Sequence, residues 1–552
     1  MSGEEIISRM MEKGFLISPD ALDKLKNLDD ETFSKLENFF KDEKPMVINQ
    51  DLLNFLISNK KEVEINWKEF ENAKFLLEKG KDQRAYNVFL DLMEYDLSDE
   101  KKKILNEMLD DLKEPGEISP EDAQEENDGS SLVILKMFEE THRKKEVLDF
   151  VMHYQARYNF LKKILQNRVE LQEAISIRRA LNKSNRENIS LIGLVTDKRT
   201  TKNGNIMITL EDISGEIKIL INKNRKDIFD SAKDIVLDEV LGVTGVTGDK
   251  IVFVSNVVFP DLPPDKPLKK CEDEVYAVFT SDLHVGSNMF IEKDLLKFIN
   301  WINGKAGNSQ QREIAQKVKY LFVVGDLVDG IGIYPGQEDE LTITDINGQY
   351  DKVAEYLSMI RKDIKIIVCA GNHDAIRISE PQPVLNKQYS QSVWDLPNVT
   401  MVTNPSLVNI HSSKNFEGFD VLLYHGYCFD YYAENVESIR NSGTHISDRA
   451  TLIMKYLLQK RHLAPTHGST LFVPTREEDP LIIDKVPDFF VAGHIHKVNV
   501  DQYKHVTTIC CSCWQSKTDF QEKVGHSPEP SRVPVVNLKT RETKVMKFSD
   551  ES

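Results

Sequence analysis

Apolar residues recur along this chain with changing periods, and the changes mark its parts. Over residues 1–70 the spacing is helical. Leu22, Leu25 and Leu28 form one stripe behind a Ser18-Pro19 start, and Phe33, Leu36, Phe39 and Phe40 form a second. Core packing accounts for both stripes, so 1–70 is expected to be a small helical domain. Residues 71–130 continue as charged helix and then lose their apolar positions. Between Glu114 and Asp128, seven acidic side chains meet no basic one, among Pro, Gly and Ser. Such a stretch cannot bury enough surface to order itself and reads as a linker. Residues 131–185 are expected to form a helical connector, with Phe150, Tyr154, Tyr158 and Leu161 on one face.

From 186 to 265 the period becomes two. Three alternating runs are divided at Asn203-Gly204 and Ser214-Gly215, and two more turn at Gly248-Asp249. Five short strands in about 75 residues suit a small Greek-key barrel of the OB type, and an SH3-like barrel would leave a similar pattern. Lys198, Arg199 and Lys202 flank the first turn, and Lys223, Arg225 and Lys226 follow the third strand. An OB barrel could offer these to single-stranded nucleic acid. A solvated loop surface accounts for them equally well.

Between 271 and 545 short apolar runs alternate with helical stretches, which indicates a layered α/β fold. Five of these runs end in metal-binding residue types. VYAVFTSD leads to Asp282 and His284, YLFVVGD to Asp326 and Asp329, and IKIIVCAGN to Asn372, His373 and Asp374. VLLYHG ends at His425, and DFFVAGH leads to His494 and His496. Strand C-terminal ends are where open α/β sheets place their ligand crevices. Carboxylate, imidazole and amide oxygen together suit Mn, Fe or Zn. One carboxylate can bridge two ions ~3.5–4 Å apart, as two-metal hydrolases require. Glycines 286, 325, 371 and 493 leave room for close backbone approach. Each motif alone is weak, since GD, GN and HxH are common. Five in order, each closing a strand, indicate a metal site.

Composition narrows the partners. Lys plus Arg number 71 and Asp plus Glu 89, a net charge of −18. That balance argues against a protein that coats DNA indiscriminately, because phosphate contact favours a basic surface. No apolar run approaches a membrane span and the first residues lack the order of a secretory signal, so a soluble cytoplasmic protein with no membrane contact is expected. Six cysteines are too few for a disulfide framework. Cys510, Cys511 and Cys513 do not make the four-ligand set of a zinc site and read as buried strand residues. His462 and His467 could line the cleft or stabilise a loop, and His505 and His526 have no assigned role.

The ordered motifs DxH, GDxxD, GNHD, H and GHxH closely resemble the calcineurin-like metallophosphoesterase superfamily. The resemblance implies a β-sandwich flanked by helices. It implies one metal on Asp282, His284, Asp326 and His496, and a second on Asp326, Asn372, His425 and His494. Mn²⁺ is the family-based expectation, and Mg²⁺ or Fe²⁺ fits the ligands too. His373 would steady the phosphate and assist the leaving oxygen, with Asp374 orienting its ring and Asp329 behind the ligands. The wider layout, with RHLAPTHG (461–468), DPLIIDKVPDFFVAGHIHK (479–497) and CWQSKTDFQEKVGHSPEPSRVPVVNL (513–538), resembles the small subunit of archaeal family D DNA polymerase. That family implies a 3′–5′ exonuclease acting on single-stranded or mismatched 3′ ends, in a heterodimer with a large polymerase subunit. A sliding clamp is a further expected partner. A stand-alone phosphoesterase and a mainly scaffolding polymerase component are the alternatives.

Overall fold

The computed structural model describes Leu16–Ile17, Val47–Ile48 and residues 131–549 except 140–143, 184–185, 264–266, 519–520 and 523–526. The chain divides into two compact units, Met1–Glu125 and Glu126–Ser552. In the first, β1 (Leu16–Ile17) and β2 (Val47–Ile48) pair in parallel, and the rest of the expected helical domain over 1–70 lies outside the described residues. The helical stripes, the charged helix of 71–113 and the acidic linker lie outside the described residues.

The second unit opens with β3 (Leu132–Lys136), which corrects the expected connector. Helix begins only at Val147, running to Gln166, and a short second helix covers Ile177–Leu181. LVILK is too short for periodicity to separate strand from helix, and its fate is decided by an unpaired sheet edge that it completes.

The five expected strands follow: β4 (Asn188–Thr200), β5 (Ile206–Asp212), β6 (Gly215–Ile221), β7 (Val240–Thr247) and β8 (Ile251–Val258). They close into a barrel in the order β4-β5-β6-β8-β7. Alternate residues point inward, so Ile206, Ile208 and Leu210 of β5 meet Ile217, Ile219 and Ile221 of β6 in the core. A register shift between Val195 and Asp197 interrupts the long β4, where extra twist helps a sheet close. One basic residue of the first turn is not on the surface. Lys198 donates to the carbonyls of Lys233 and Ile235 at the end of the helix Lys226–Lys233, which satisfies orphan acceptors there.

The remaining strands are β9 (Tyr276–Thr280), β10 (Val318–Val324), β11 (Lys365–Cys369), β12 (Val399–Met401), β13 (Ser406–Ile410) and β14 (Phe419–Leu423). β15 (Phe489–Ala492), β16 (Asn499–Tyr503), β17 (Val506–Cys510), β18 (Arg532–Asn537) and β19 (Thr543–Lys547) complete the set. They form two six-stranded mixed sheets, β12-β11-β10-β9-β18-β19 and β16-β17-β15-β14-β13-β3. β3 is the edge of the second, with Leu132 opposite Ile410. The sheets face each other through Phe279, Phe322, Val421, Phe489 and Ile509. Leu295, Phe298 and Val353 of flanking helices cover the outer face of the first sheet, and Tyr432, Met454 and Leu457 cover the second. The result is helix–sheet–sheet–helix layering beside a closed five-stranded barrel.

Two buried ion pairs join barrel to sandwich. Lys460 Nζ lies 2.7 Å from Glu239 Oε2 and 3.5 Å from the centroid of the Phe259 ring. Arg157 donates through Nε to Asp479 at 2.6 Å and through Nη1 to the carbonyls of Asp238 and Pro465. His462 belongs to this second pair, with Nε2 2.8 Å from Asp479. Of its two expected roles, the loop-stabilising one is the one seen. His467 lies beside the same helix, its Nδ1 3.4 Å from the Tyr154 hydroxyl, and His526 is outside the described residues.

All six cysteines are free and buried. Burial pushes the thiols of Cys369, Cys428, Cys510 and Cys511 far up and that of Cys271 to about 11. Thiolate is the reactive form. The native protein should therefore consume almost no Ellman's reagent at mildly alkaline pH and six equivalents after guanidinium unfolding. Rapid native reaction of even one thiol would contradict this.

Candidate metal centre

Five loops leave the C-terminal ends of β9, β10, β11, β14 and β15 and meet at one end of the sandwich. β9, β10 and β11 run parallel, as do β14 and β15, so topology alone puts these ends together. The loops carry Asp282 and His284, Asp326 and Asp329, Asn372 to Asp374, His425, and His494 with His496. Asp282, His284, Asp326, His494 and His496 have φ of 52°, 50°, 51°, 68° and 57°. L-residues avoid that region at a cost of roughly 1–2 kcal/mol each. The surrounding framework therefore holds these donors where local preference would not. Two glycines matter here: a Cβ at Gly371 would run into the Asp326 carboxylate, and one at Gly325 into the His425 ring.

The donor atoms fall into two sets. In the first, His284 Nε2 is 3.0 Å from His496 Nε2, and His496 Nε2 is 3.3 Å from Asp282 Oδ1. Asp326 Oδ2 lies 3.9 Å from His284 Nε2. In the second, His425 Nε2 is 3.2 Å from the same Asp326 Oδ2 and 3.0 Å from Asn372 Oδ1. His494 Nδ1 is also 3.0 Å from Asn372 Oδ1. All seven expected ligands thus converge, with Asp326 between the sets.

The inner atoms are nitrogen lone pairs and oxygens, a donor set that needs positive charge among its members. Burial alone would raise the carboxyls of Asp282 and Asp326, yet His496 holds the first, and His425 with His373 the second, below the usual range. Reciprocally, burial pushes His425 down but Asp326 outweighs it and raises the ring to about 10. His496 is raised well above the usual histidine range, against burial, by Cys513 and Asp282. Without ions the cluster balances its charge with protons, and a divalent cation can take their place. The residues therefore fit a metal pair.

Outer atoms fix the rings. His284 Nδ1 faces Asp329 Oδ1 at 3.0 Å, and that carboxylate also accepts from Gln337 and Gln515. His425 Nδ1 faces the Val324 carbonyl at 2.9 Å, and His496 Nδ1 faces the Gln521 amide at 2.8 Å. His494 Nε2 faces Asp430 at 3.3 Å. Asp329 therefore sits behind the ligands, as expected. Gln337, Gln515, Gln521 and Asp430 belong to none of the five metal-binding motifs, and no periodicity or spacing distinguishes them.

One expected role is corrected. Asp374 does not orient His373; the Asp329 carbonyl does, 2.8 Å from His373 Nδ1. The Asp374 carboxyl turns inward, accepting from Gly371 N at 2.8 Å and the Tyr350 hydroxyl at 3.1 Å. It braces the loop on which Asn372 and His373 sit. The residue following His373 points away from it, into the layer beneath, and motif adjacency could not show that. Burial and the nearby Asp326 charge push Asp374 up to about 7.

A strained donor cluster on parallel strand ends in a helix-flanked double sheet, with a barrel ahead of it, defines a class of protein. Residues 277–499 match the family model that describes the B subunits of DNA polymerases alpha and epsilon. The DNA polymerase II small subunit of Methanothermobacter thermautotrophicus is 39% identical over 440 residues, covering 79% of this chain and 88% of that one. That of Archaeoglobus fulgidus is 35% identical, covering 79% and 86%. The chain belongs to the archaeal family of DNA polymerase II small subunits. Telomere capping protein Ten1 from Saccharomyces pombe matches at 22% identity over 15% of this chain and 77% of its own, with a TM-score of 0.13. Among the described residues no helix is long and apolar enough to cross a membrane.

Proposed function

We propose that this small subunit is a calcineurin-like phosphoesterase carrying a 3′–5′ exonuclease that removes misinserted nucleotides alongside a large polymerase subunit. The observation behind this reading is the convergence of seven donor side chains into two sets sharing Asp326. Two divalent ions, Mn²⁺ first among the candidates with Mg²⁺ and Fe²⁺ as alternatives, would supply Lewis acidity and activate water. Asp282, His284, Asp326 and His496 would hold one, and Asp326, Asn372, His425 and His494 the other.

The chain's own groups then do three things. The strained loops keep the donors preorganised, so little rearrangement accompanies binding. His373, its Nδ1 engaged by the Asp329 carbonyl, leaves Nε2 for the phosphate or the departing oxygen. Burial lowers this ring's proton affinity against the pull of Asp326, and an arriving phosphate anion favours its protonation. The barrel offers Lys202, Lys223 and Arg225 near the strand ends as a basic surface for a DNA strand.

The test is digestion of a 3′-mismatched primer by this chain, alone and with the large subunit, in Mn²⁺. Shortening from the 3′ end that a chelator stops is the expected result. Hydrolysis of a mononucleotide ester without attack on DNA would overturn the DNA reading in favour of a stand-alone phosphoesterase. Partner binding without any hydrolysis would leave scaffolding as the function.

A further inference from the structure

We infer that Asp430 is a positioning residue for His494, and through it sets the affinity of one of the two ion sites. The inference rests on the two-metal reading above and concerns its second site. The His494 ring presents Nδ1 to the cluster, 3.0 Å from Asn372 Oδ1 and grouped with Asp326 and His425. A nitrogen that donates its lone pair to a cation carries no proton, so the ring's proton resides on Nε2. That atom faces Asp430 Oδ2 at 3.3 Å. A carboxylate accepting from the outer nitrogen fixes the tautomer, holds the ring plane and makes the inner nitrogen more basic.

The other elements around His494 do not replace this contact. Its backbone N–H donates to the Asp282 carboxylate at 3.0 Å, which anchors the loop and leaves χ rotation of the ring free. Tyr427 and His425 meet the ring edge-on, with centroids 5.7 and 5.4 Å away, and supply no acceptor to Nε2. Asp430 stands in the first turn of the helix Phe429–Asn435, just beyond the His425 loop. The same chain segment thus carries one ligand of the second site and the support of another.

The two sites are supported unequally. Asp329, behind His284 of the first site, is 1% exposed, whereas the Asp430 side chain is 46% exposed. Solvent weakens a charged contact at the surface, so the second site is the more readily weakened of the two. The half-exposed position also means that Asp430 can be replaced without opening the core.

Mn²⁺ titration of the full-length chain by calorimetry, with Mn²⁺ electron paramagnetic resonance to count free ion, tests this. Wild type should bind two ions. D430A should weaken one of them by about 10–100-fold, the usual loss when an outer partner of a metal-binding histidine is removed, and leave the other within twofold. D430N keeps an acceptor oxygen without the charge and should weaken the same ion by a smaller factor. It also serves as the measurement if D430A folds poorly. Two unchanged ions in D430N and in any folded D430A would overturn the role of Asp430 alone. Fewer than two ions in wild type would overturn the two-metal reading itself.

Discussion

Replacing Asp326 with alanine should abolish metal-dependent hydrolysis while leaving the folded subunit and its assembly intact. Among the described residues this carboxylate is the only donor shared by both sets, with Oδ2 3.2 Å from His425 Nε2 and 3.9 Å from His284 Nε2. Its Oδ1 also accepts the backbone N–H of His373 at 2.8 Å, so one side chain would fix both proposed ion sites and the loop carrying His373. Loss of an outer partner costs ~10–100-fold in activity or affinity. Loss of a donor common to two ions should exceed that range and be beyond rescue by excess Mn²⁺. The cluster lies on loops at one end of the sandwich and shares no residue with the two ion pairs that fasten the barrel. Purification with the large subunit should therefore be unaffected. The readout is primer degradation against Mn²⁺ concentration, alongside co-purification. Nuclease activity within a fewfold of wild type would exclude the proposed site.

What could be read before the structure follows from where the controlling forces lie. The barrel strands and the five motif-bearing strands announce themselves because alternation and apolar runs are local, and each ends in a turn or a ligand. All seven donors stood among the ten strand-end candidates for the same reason, each lying two to four residues beyond its strand, and the family resemblance singled them out. β3 was not, since four apolar residues and a lysine fit either period and only the free edge beside β13 decides between them. Lys198 looked like a surface cation, yet the helix end at Lys233 and Ile235 lies above it only in three dimensions. Asp374 and Asp430 make the same point. The residue adjacent to His373 in sequence braces the backbone, while one 64 positions from His494 supports that ring. Residues that position a site act across space and leave no signature along the chain.

The largest structural effect is expected at Asp479, which lies in none of the five metal-binding motifs. Its carboxylate is fully buried against Arg157, His462 and His153, with Nε, Nε2 and Nε2 at 2.6, 2.8 and 3.3 Å. Arg157 stands on the helix Val147–Gln166, which packs on the barrel through Tyr158, Leu161 and Leu165. Because Arg157 also bonds the carbonyls of Asp238 and Pro465, this one charge pair ties helix, barrel and sandwich together. Asp479→Ala would leave a guanidinium that is 2% exposed without its counter-charge, a loss of about 3–5 kcal/mol. The double replacement D479L/R157M removes both charges and should recover much of that loss, since breaking a buried pair costs more than replacing it. The same cluster makes the junction acid-sensitive. Burial, reinforced by Arg157, lowers His462 from 6.5 to about 4. The unfolded chain therefore binds this proton first as pH falls, and stability declines between about pH 6.5 and 4, by roughly 3 kcal/mol in all. Asp479 itself is held well below the usual carboxylate range, the pull of Arg157 outweighing burial, so its own contribution is lost only at still lower pH. Denaturant melts of wild type and H462Q across that interval should diverge, with the variant losing less. Parallel curves, or an Asp479→Ala protein within 1 kcal/mol of wild type (roughly the worth of a surface ion pair), would show that the junction is held elsewhere.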